Sequence, residues 1–333
     1  MSKKNLVGTA ILMLLLFSLS NLTTFAQRRV TVMTWNVHGG NPGDIHPNNC
    51  KEIAPLWRMF RFSEEILRYN ARHRGREIQI IAVQEIHRNQ AYNLARRLRE
   101  GSRHLPYRAY FFKTKRCLCS DTKGEHDYGN AIISSLKMSN RKEFDLPRQS
   151  ETSIAGCDLT EYTRLGAASV LIPGVTWVRI YTNHSAGDPT ATAPRAQAVS
   201  GPGNSSSPQE EFALKQLRAI NKAVFQDDTS VGRMPRILMG DFNFDPLRSP
   251  TLYNTMKNFG YRDAWREAYP NAAKEPGNTV PTRVPPTQRF DYIFLGRGSG
   301  IETVKYAQVL LTGKTVDNHP LSDHYPVIAD LIF

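Results

Sequence analysis

The sequence predicts an α/β protein in which a mixed sheet, or two packed sheets, is flanked by helices. Short apolar runs recur along the whole chain, and segments with apolar residues at helical spacing connect them in both halves. Several runs are separated only by short turn segments, which is typical of hairpins. Helical connections favour parallel pairs and hairpins favour antiparallel pairs, so we expect both kinds of pairing. No break in composition divides the chain, and we expect one domain.

The first third of the chain alternates strands and helices. Residues 29–35 are β-branched and alternating, which predicts a strand that ends in a Gly-rich loop. Apolar residues at helical spacing predict a helix within 53–70, and a second helix with a basic outer face is predicted over 89–98. Between these helices, residues 78–83 are nearly continuously apolar, which is typical of a strand covered on both faces.

The middle of the chain is predicted to be rich in strands. Four strand candidates follow one another, at residues 107–112, 129–134, 166–171 and 176–183. Residues 187–207 are rich in Ala, Pro, Gly, Ser and Thr and lack an apolar period, which predicts a flexible loop. Ser207-Pro208-Gln209-Glu210 then fits a helix start, with Ser at the cap, Pro in the first turn and Glu at the capping-box position.

The last third contains a buried strand that leads directly into polar residues. Residues 237–239 are apolar and stop at Gly240, and Asp241 and Asn243 follow. Residues two apart in an extended segment point to the same side, so this carboxylate and amide can converge on one small target. Further predicted elements are a helix over 250–259, a Pro-rich loop over 275–288, a strand over 290–294 and a final strand entered from 321–327.

Residues 1–26 have the pattern of a secretory signal peptide. Two lysines precede a long apolar run, and small residues ending at Ala26 predict cleavage after that position. An uncleaved membrane anchor is the alternative, but serine, asparagine and threonine residues weaken the far end of such a helix. We therefore expect a secreted or periplasmic protein whose single domain spans residues 27–333.

The chain is strongly basic. Its formal net charge is +13, and removal of residues 1–26, which carry two lysines and no acidic residue, leaves +11. An excess of this size favours a polyanionic partner, either nucleic acid or an anionic membrane surface. A basic surface that serves only solubility is the third interpretation.

The cysteines are interpreted as structural. In an exported protein an even number permits two disulfides, with three possible connectivities. The four cysteines are Cys50, Cys117, Cys119 and Cys157. The chain has no Gly-rich phosphate-binding loop, and we therefore predict no nucleotide cofactor.

Carboxylate, amide and imidazole groups stand where the predicted strands end. These residues are Asn36, Glu85, His184, Asp241, Asn243, Asp291, Asp323 and His324. Hydrolysis of an anionic phosphodiester needs a cation on the phosphate oxygens, an activated water and a stabilised leaving oxygen. Carboxylates and amides are hard oxygen ligands that suit Mg²⁺, or Mn²⁺, better than zinc. A histidine held by a carboxylate can act as acid or base near neutral pH. The residue types predict metal-assisted phosphoryl transfer.

Six short motifs resemble, in the same order, those of the endonuclease/exonuclease/phosphatase superfamily, which includes deoxyribonuclease I-like enzymes, the catalytic subunit of cytolethal distending toxin and neutral sphingomyelinases. The motifs are Thr34-Trp35-Asn36, Val83-Gln84-Glu85, Gly129-Asn130-Ala131-Ile132, Gly240-Asp241-Phe242-Asn243, Phe290-Asp291-Tyr292-Ile293 and Ser322-Asp323-His324. The resemblance spans residues 29–333. It implies a four-layered α/β sandwich of two central mixed β-sheets flanked by helices, with the active site at one end of the sheets.

The resemblance also implies roles for these residues. Glu85 would bind Mg²⁺ with Asn36 beside it, and Asp323 would help to position metal or phosphate. Asp241 and Asn243 would hold the attacking water and contact the scissile phosphate.

The remaining residues would carry protons or bind the substrate. Asp291 would orient His324 to form the acid/base dyad. His184 matches a second histidine, which would donate to the phosphate or to the leaving oxygen. Arg164 would lie against the DNA backbone, and Asn130 would be either a phosphate contact or a turn residue.

Three functional hypotheses follow. The first is an exported, Mg²⁺-dependent phosphodiesterase that cuts nucleic acid, most of all DNA, by direct attack of water. The second is a sphingomyelinase or phosphoinositide phosphatase acting on phospholipid headgroups. The third is a non-catalytic secreted module that binds polyanions. The acid/base and metal-binding residues argue against the third hypothesis. The sequence does not predict an oligomeric state.

Overall fold

The computed structural model describes most of the chain. The described residues are 28–37, 56–102, 104–118, 125–147, 160–161, 164–185, 208–231, 234–271, 274–281, 285–298, 300–312 and 320–333. The predicted signal peptide, the predicted loop over 187–207, three of the cysteines and the side chain of Cys117 lie outside this part. No helix in the described residues is long and apolar enough to cross a membrane.

The described strands form two sheets. The seven-stranded sheet has the order β12 (Thr303–Val309), β13 (Val327–Ile332), β1 (Arg29–Asn36), β2 (Ile78–His87), β4 (Glu125–Ser134), β3 (Arg108–Leu118) and β6 (Thr160–Glu161). The six-stranded sheet has the order β10 (Arg262–Asp263), β11 (Asp291–Leu295), β9 (Arg236–Asp241), β8 (Trp177–His184), β7 (Arg164–Leu171) and β5 (Met138–Asp145).

Each sheet is mixed and contains one parallel pair near its centre. In the first sheet β1 runs parallel to β2, and in the second β8 runs parallel to β9. The other strand pairs in the described residues are antiparallel. The carboxyl ends of parallel strands meet at one edge of a sheet, so each sheet gathers its strand-end side chains there.

Helices cover the outer face of each sheet, which confirms the predicted four-layered sandwich. These helices are α1 (Leu56–Arg72), α2 (Arg88–Gly101), α3 (Pro208–Val231) and α4 (Pro250–Asn258). The short α5 (Ala264–Ala268) instead packs against the central core through Ala264 and Trp265. Phe62 of α1 and Leu94 of α2 are buried in the core against the seven-stranded sheet. Leu217 of α3 and Leu252 of α4 are buried in the core against the six-stranded sheet.

The central core lies between the two sheets. In β1, Val30 and Val32 belong to this core, whereas Met33 and Trp35 belong to the core under the helices. Side chains alternate along a strand, so Asn36 at the end of β1 falls on the face that looks toward the second sheet. This alternation is how a residue of one sheet reaches catalytic candidates of the other.

The predicted helices and most strands are confirmed, with shifts of a few residues at their ends. The strands β5 and β12 are the main elements that the sequence did not predict. Both lie at sheet edges and are mostly half-buried or exposed. An edge strand needs no alternating apolar face, so its sequence carries a weak strand signal.

Candidate active site

The candidate site lies at the edge where the two parallel pairs end. Asn36 ends β1 and pairs in register with Gln84 of β2, next to Glu85. His184 ends β8 and pairs with Asp241, the last residue of β9. In the antiparallel neighbour of β9, Asp291 stands opposite Asp241 and begins β11. The fold therefore brings strand ends from both sheets to one place.

Asn36 joins the two sheets. Its Nδ2 donates to Glu85 Oε1 and to Asp241 Oδ2, each at 2.9 Å. The Asn36 and Asp241 side chains are buried, and Glu85 is partly exposed. The two carboxylates therefore lie on either side of one amide nitrogen, although their residues belong to different sheets.

The Asp291–His324 pair has the geometry predicted for an acid/base dyad. His324 Nδ1 lies 2.8 Å from Asp291 Oδ2, and His324 Nε2 lies 3.7 Å from Asp241 Oδ2. Trp35 Nε1 donates to the His324 carbonyl, and Ser322 Oγ donates to the Asn36 carbonyl. These bonds hold the segment before β13 against the end of β1. The imidazole therefore has one nitrogen on Asp291 and the other facing Asp241.

His184 completes the group, and the structure identifies its acidic neighbours. Its Nε2 lies 3.6 Å from Glu85 Oε1 and 3.7 Å from Asp241 Oδ2. The sequence did not identify these two carboxylates as neighbours of His184, because both are distant from it along the chain. His184 thus approaches this Asp241 oxygen from the end of β8, and His324 approaches it from the segment before β13.

The backbone around Asp241 and Glu85 adopts conformations that are rare for residues with side chains. Glu85 has φ +55° and Asn243 has φ +52°. Such strain collects at functional sites, where the surrounding structure holds it in place. The Asn243 amide N–H donates to Asp241 Oδ1 at 2.8 Å, and Asn243 Nδ2 donates to the Ser185 carbonyl at 2.9 Å. Asn243 is thereby fixed beside both Asp241 and the end of β8.

Asn130 lies in β4 opposite the irregular pairing of β2 around Glu85. Ala131 pairs with Val83 and Gly129 pairs with Ile86, so Asn130 faces the bulge. The Asn130 side chain is buried, and its Nδ2 has no hydrogen-bond partner among the described residues. Asn130 therefore lies within a strand and not in a turn, and the phosphate contact stays a prediction.

Two other predicted residues lie at the rim. Arg164 begins β7 at the same edge, but its guanidinium contacts Glu143 at 2.7 Å and Asp145 at 3.0 Å. Asp323 adjoins His324, and its Oδ1 lies 3.3 Å from Ser322 Oγ. In this structure the Arg164 guanidinium is paired with two carboxylates, so the predicted contact with DNA requires it to move away from at least one of them.

Burial and neighbouring charges shift the pKa values of the central pair. Burial raises the pKa of Asp241, and the charge of Asp291 adds to it; the histidines and Asn36 oppose this, and the pKa is about 6. Burial lowers the pKa of His324, but the charges of Asp291 and Asp241 and the bond to Asp291 outweigh it, and the pKa is raised to about 10. At neutral pH, Asp241 is a carboxylate of raised basicity and His324 is an imidazolium.

The donor set fits a divalent cation. Ligand atoms of Asp241, Asp291 and His324 lie within 4.8 Å of one another, and Glu85 adds a further carboxylate across Asn36. Oxygen donors of this kind are those that Mg²⁺ and Mn²⁺ prefer. Asn36 turns its amide nitrogen toward the carboxylates, so it would act as a ligand only after rotation of that amide.

Thr279 is a buried contributor that sequence reasoning missed. Its Oγ1 accepts from the Phe290 N–H at 3.2 Å, and its carbonyl accepts from the Tyr325 N–H at 2.9 Å. Phe290 precedes Asp291 and Tyr325 follows His324, so one residue ties together the backbones that carry the dyad. Thr279 lies in the predicted Pro-rich loop, where no periodic pattern marks it.

One family of phosphoesterase and nuclease hydrolases has this mixed four-layered sandwich. The chain belongs to the Endonuclease/Exonuclease/phosphatase family, whose sequence profile matches residues 33–324. Enzymes of this family are generally dependent on divalent metals. No curated protein matches the chain.

Solved structures share the fold. An endonuclease/exonuclease/phosphatase from Beutenbergia cavernae is 21% identical with a TM-score of 0.61, over 91% of this chain and 71% of that chain. A family protein from Leptotrichia buccalis is 18% identical with a TM-score of 0.58, over 91% and 100%. The human nocturnin catalytic domain, solved with bound sulfate, is 17% identical with a TM-score of 0.57, over 92% and 97%.

Proposed function

We propose that this protein is an exported, divalent-metal-dependent phosphodiesterase that cuts nucleic acid, most of all DNA. The observation that carries the proposal is the contact of both histidines with one carboxylate. Asp241 Oδ2 lies 3.7 Å from His184 Nε2 and 3.7 Å from His324 Nε2, with Asp291 behind His324. A carboxylate that can accept a proton beside an imidazolium that can donate one supplies the general base and the general acid for hydrolysis of a phosphodiester.

The side chains divide the proton chemistry between them. Asp241, with its pKa raised to about 6, accepts a proton from the attacking water at neutral pH. Asn243, fixed beside it, orients that water. His324 is an imidazolium whose Nδ1–H donates to Asp291, so its second proton, on Nε2, faces the site. His184, more exposed than His324, donates to the phosphate or to the leaving oxygen.

A divalent cation fits into the same scheme. Glu85 and Asp241, which lie on either side of the Asn36 amide nitrogen, would hold it through their carboxylate oxygens, and Asn36 would join them after rotation of its amide. When bound, it would neutralise charge on the phosphate oxygens. Mg²⁺ is the proposed ion and Mn²⁺ is the alternative.

The distribution of charge supports a nucleic-acid substrate. Helices α1 and α2 together contain eight arginines, no lysine and three glutamates. Helix α3 on the opposite outer face contains four acidic and three basic residues. Helices α1 and α2 thus carry a net charge of +5 and α3 carries −1, so among these helices the positive charge lies on the α1–α2 layer, as expected for a surface that faces a polyanion.

Export is part of the proposal and depends on residues 1–26. Their charged start, apolar middle and small-residue exit support cleavage after Ala26 and a secreted or periplasmic location. Fractionation of cells that express the full chain, followed by N-terminal sequencing of the mature protein, tests this part. A protein that retains residues 1–26 in the membrane fraction would be anchored instead.

A substrate panel on purified residues 27–333 tests the activity. We expect nicking of supercoiled plasmid in Mg²⁺ or Mn²⁺, no nicking with a chelator, and no nicking by His324→Asn. RNA and vesicles containing sphingomyelin or phosphoinositides form the other arms of the panel. Release of phosphocholine or phosphate from the vesicles with plasmid left intact would favour the lipid hydrolase, and inactivity in every arm would refute the phosphodiesterase.

A further inference from the structure

We propose that Asp245, Asp263 and Arg289 form a clamp that positions Asp291, and through it His324, against Asp241. This inference rests on the proposed function for its catalytic consequence, whereas the clamp itself consists of contacts away from the reacting groups. Its three members, which we call the Asp291 clamp, are all buried. They are positioning residues, because they act on His324 only through Asp291, which bonds to the imidazole directly.

Asp245 joins the loop after β9 to the start of β11. Its Oδ2 accepts from the Arg289 N–H at 2.9 Å, while its Oδ1 accepts from the N–H groups of Leu247 and Arg248 at 2.9 and 3.2 Å. Both carboxylate oxygens therefore accept hydrogen bonds, one from the segment before β11 and the other from the loop after β9. The loop that carries Asn243 is thereby held at a set distance from the residue two positions before Asp291.

The side chain of Arg289 is held by Asp263. Its guanidinium forms a bidentate pair with Asp263, with Nη1–Oδ1 at 3.2 Å and Nη2–Oδ2 at 2.6 Å. The same guanidinium lies 4.5 Å from the centre of the Tyr292 ring. Asp263 also accepts from the Trp265 N–H and from the Tyr253 hydroxyl, so its orientation is fixed. The planar fork of arginine transmits that orientation to the backbone of residue 289.

Asp291 depends on this support because its own side chain has few contacts. Its Oδ2 bonds to His324, but its buried Oδ1 has no hydrogen-bond partner among the described residues. The position of the carboxylate is thus set by the backbone that carries it. A shift of about 1 Å in such a group can reduce the rate by about 100-fold.

Stability alone does not explain the clamp. A buried ion pair contributes little net stability over an apolar pair of similar volume, because both charges must be removed from water. The six-stranded sheet contains a second buried pair, in which Arg179 Nε lies 2.6 Å from Asp227 Oδ2. Arg179 is near the opposite end of β8 from His184, paired with Arg236 at the start of β9. This second pair is a matched control that lies away from the dyad.

The experiment compares Asp263→Asn and Asp245→Asn with Asp227→Asn in the mature protein. All three changes remove one buried carboxylate charge, and we expect all three to lower the free energy of unfolding. Only the clamp variants should lower kcat, by about 10- to 100-fold, with KM changed by less than about threefold. Arg289→Lys keeps the positive charge but loses the planar, bidentate guanidinium, so its kcat should lie between those of the clamp variants and wild type. A loss of kcat in Asp227→Asn equal to that in Asp263→Asn would overturn the proposal.

A spectroscopic signature separates the clamp from the proposed function. In metal-free ¹⁵N-histidine-labelled protein, the Nδ1 proton between His324 and Asp291 should give a downfield signal that His324→Gln removes. We expect this signal to be lost or shifted in Asp263→Asn and Asp245→Asn and retained in Asp227→Asn. An unchanged Nδ1 proton signal in the clamp variants would refute the clamp, even if the wild-type enzyme is active. A wild-type protein that shows the signal but has no phosphodiesterase activity would refute only the proposed function.

Discussion

Single residues at the site act on more than one neighbour. Asn36 contacts carboxylates from two sheets, and Asp241 contacts both histidines through one oxygen. Such shared contacts make the site a coupled unit, so that removal of one member changes the protonation or orientation of the others.

The dyad gives the first prediction at this scale. His324→Asn and Asp291→Asn should each lower kcat by about 10²- to 10⁴-fold, because each removes the positioned imidazolium. The double variant should be little worse than either single variant, since the two residues act as one unit. Initial rates of plasmid nicking measure this effect. His104→Asn, at a histidine whose side chain is 70% exposed, serves as the control and should keep full activity.

The raised pKa of His324 predicts how stability depends on pH in metal-free protein. The folded pKa is about 10 and the ordinary value is 6.5, so the stabilisation is complete below about pH 6.5 and is lost as pH rises toward 10. Urea unfolding of wild type and His324→Gln at pH 7 and pH 10 measures the effect. The difference in the free energy of unfolding should shrink at pH 10. A difference that stays constant or grows would show that His324 is not held as an imidazolium.

At the scale of elements, the site depends on how closely β8 approaches β9. Gly240 has φ +155°, and a Cβ placed there would lie 2.0 Å from the Asn183 carbonyl oxygen. Only glycine lets the parallel strands pair in the register that sets His184 opposite Asp241.

Gly240→Ala is therefore predicted to push the two strands apart. We expect a loss of about 1–3 kcal/mol in the free energy of unfolding, because the clash is with backbone and has no flexible side chain to absorb it. Activity should fall further than stability, since His184 and Asp241 separate. Gly300→Ala is the control, because its added Cβ has only Pro235 Cγ nearby, at 3.8 Å. Equal losses of stability and activity in Gly240→Ala and Gly300→Ala would show that close approach at Gly240 is not required.

At the scale of the whole molecule, the two outer layers differ in charge. The exposed residues of the α1–α2 layer include Arg72, Arg96 and Arg99, and those of α3 include Lys215, Arg218 and Lys222. The sets remove the same charge when neutralised, so a comparison of them separates local binding from the effect of net charge.

Neutralising the α1–α2 set to Gln should weaken DNA binding, whereas neutralising the α3 set should change it little. In the first variant, we expect the slope of log K against log salt to fall by about 0.9 for each DNA phosphate that the protein no longer neutralises. Fluorescence anisotropy with duplex DNA, in chelator and in a His324→Asn background, measures binding without cleavage. Equal slopes for the two variants would show that the α1–α2 layer has no special role in binding.

The fold and most of the site were predictable because their signals are local. Apolar periods marked the helices and central strands, and six ordered motifs marked the strand ends. Edge strands such as β5 were missed, since half-exposed residues carry no clear period. Thr279 and the clamp residues were missed for another reason: their contacts join segments far apart in sequence.

The residue types, the alternation that points Asn36 and Asp241 inward, and the glycine that permits β8 and β9 to meet are all encoded locally in the sequence. These are properties of a few consecutive residues and of the elementary geometry of a strand. By contrast, the folded chain is needed to identify Glu85 and Asp241 as the acidic neighbours of His184 and Asp245 as the partner of the Arg289 backbone. The contact of His184 with Glu85 arises because two sheets pack face to face, and the other two contacts arise because strands distant in sequence are neighbours in one sheet.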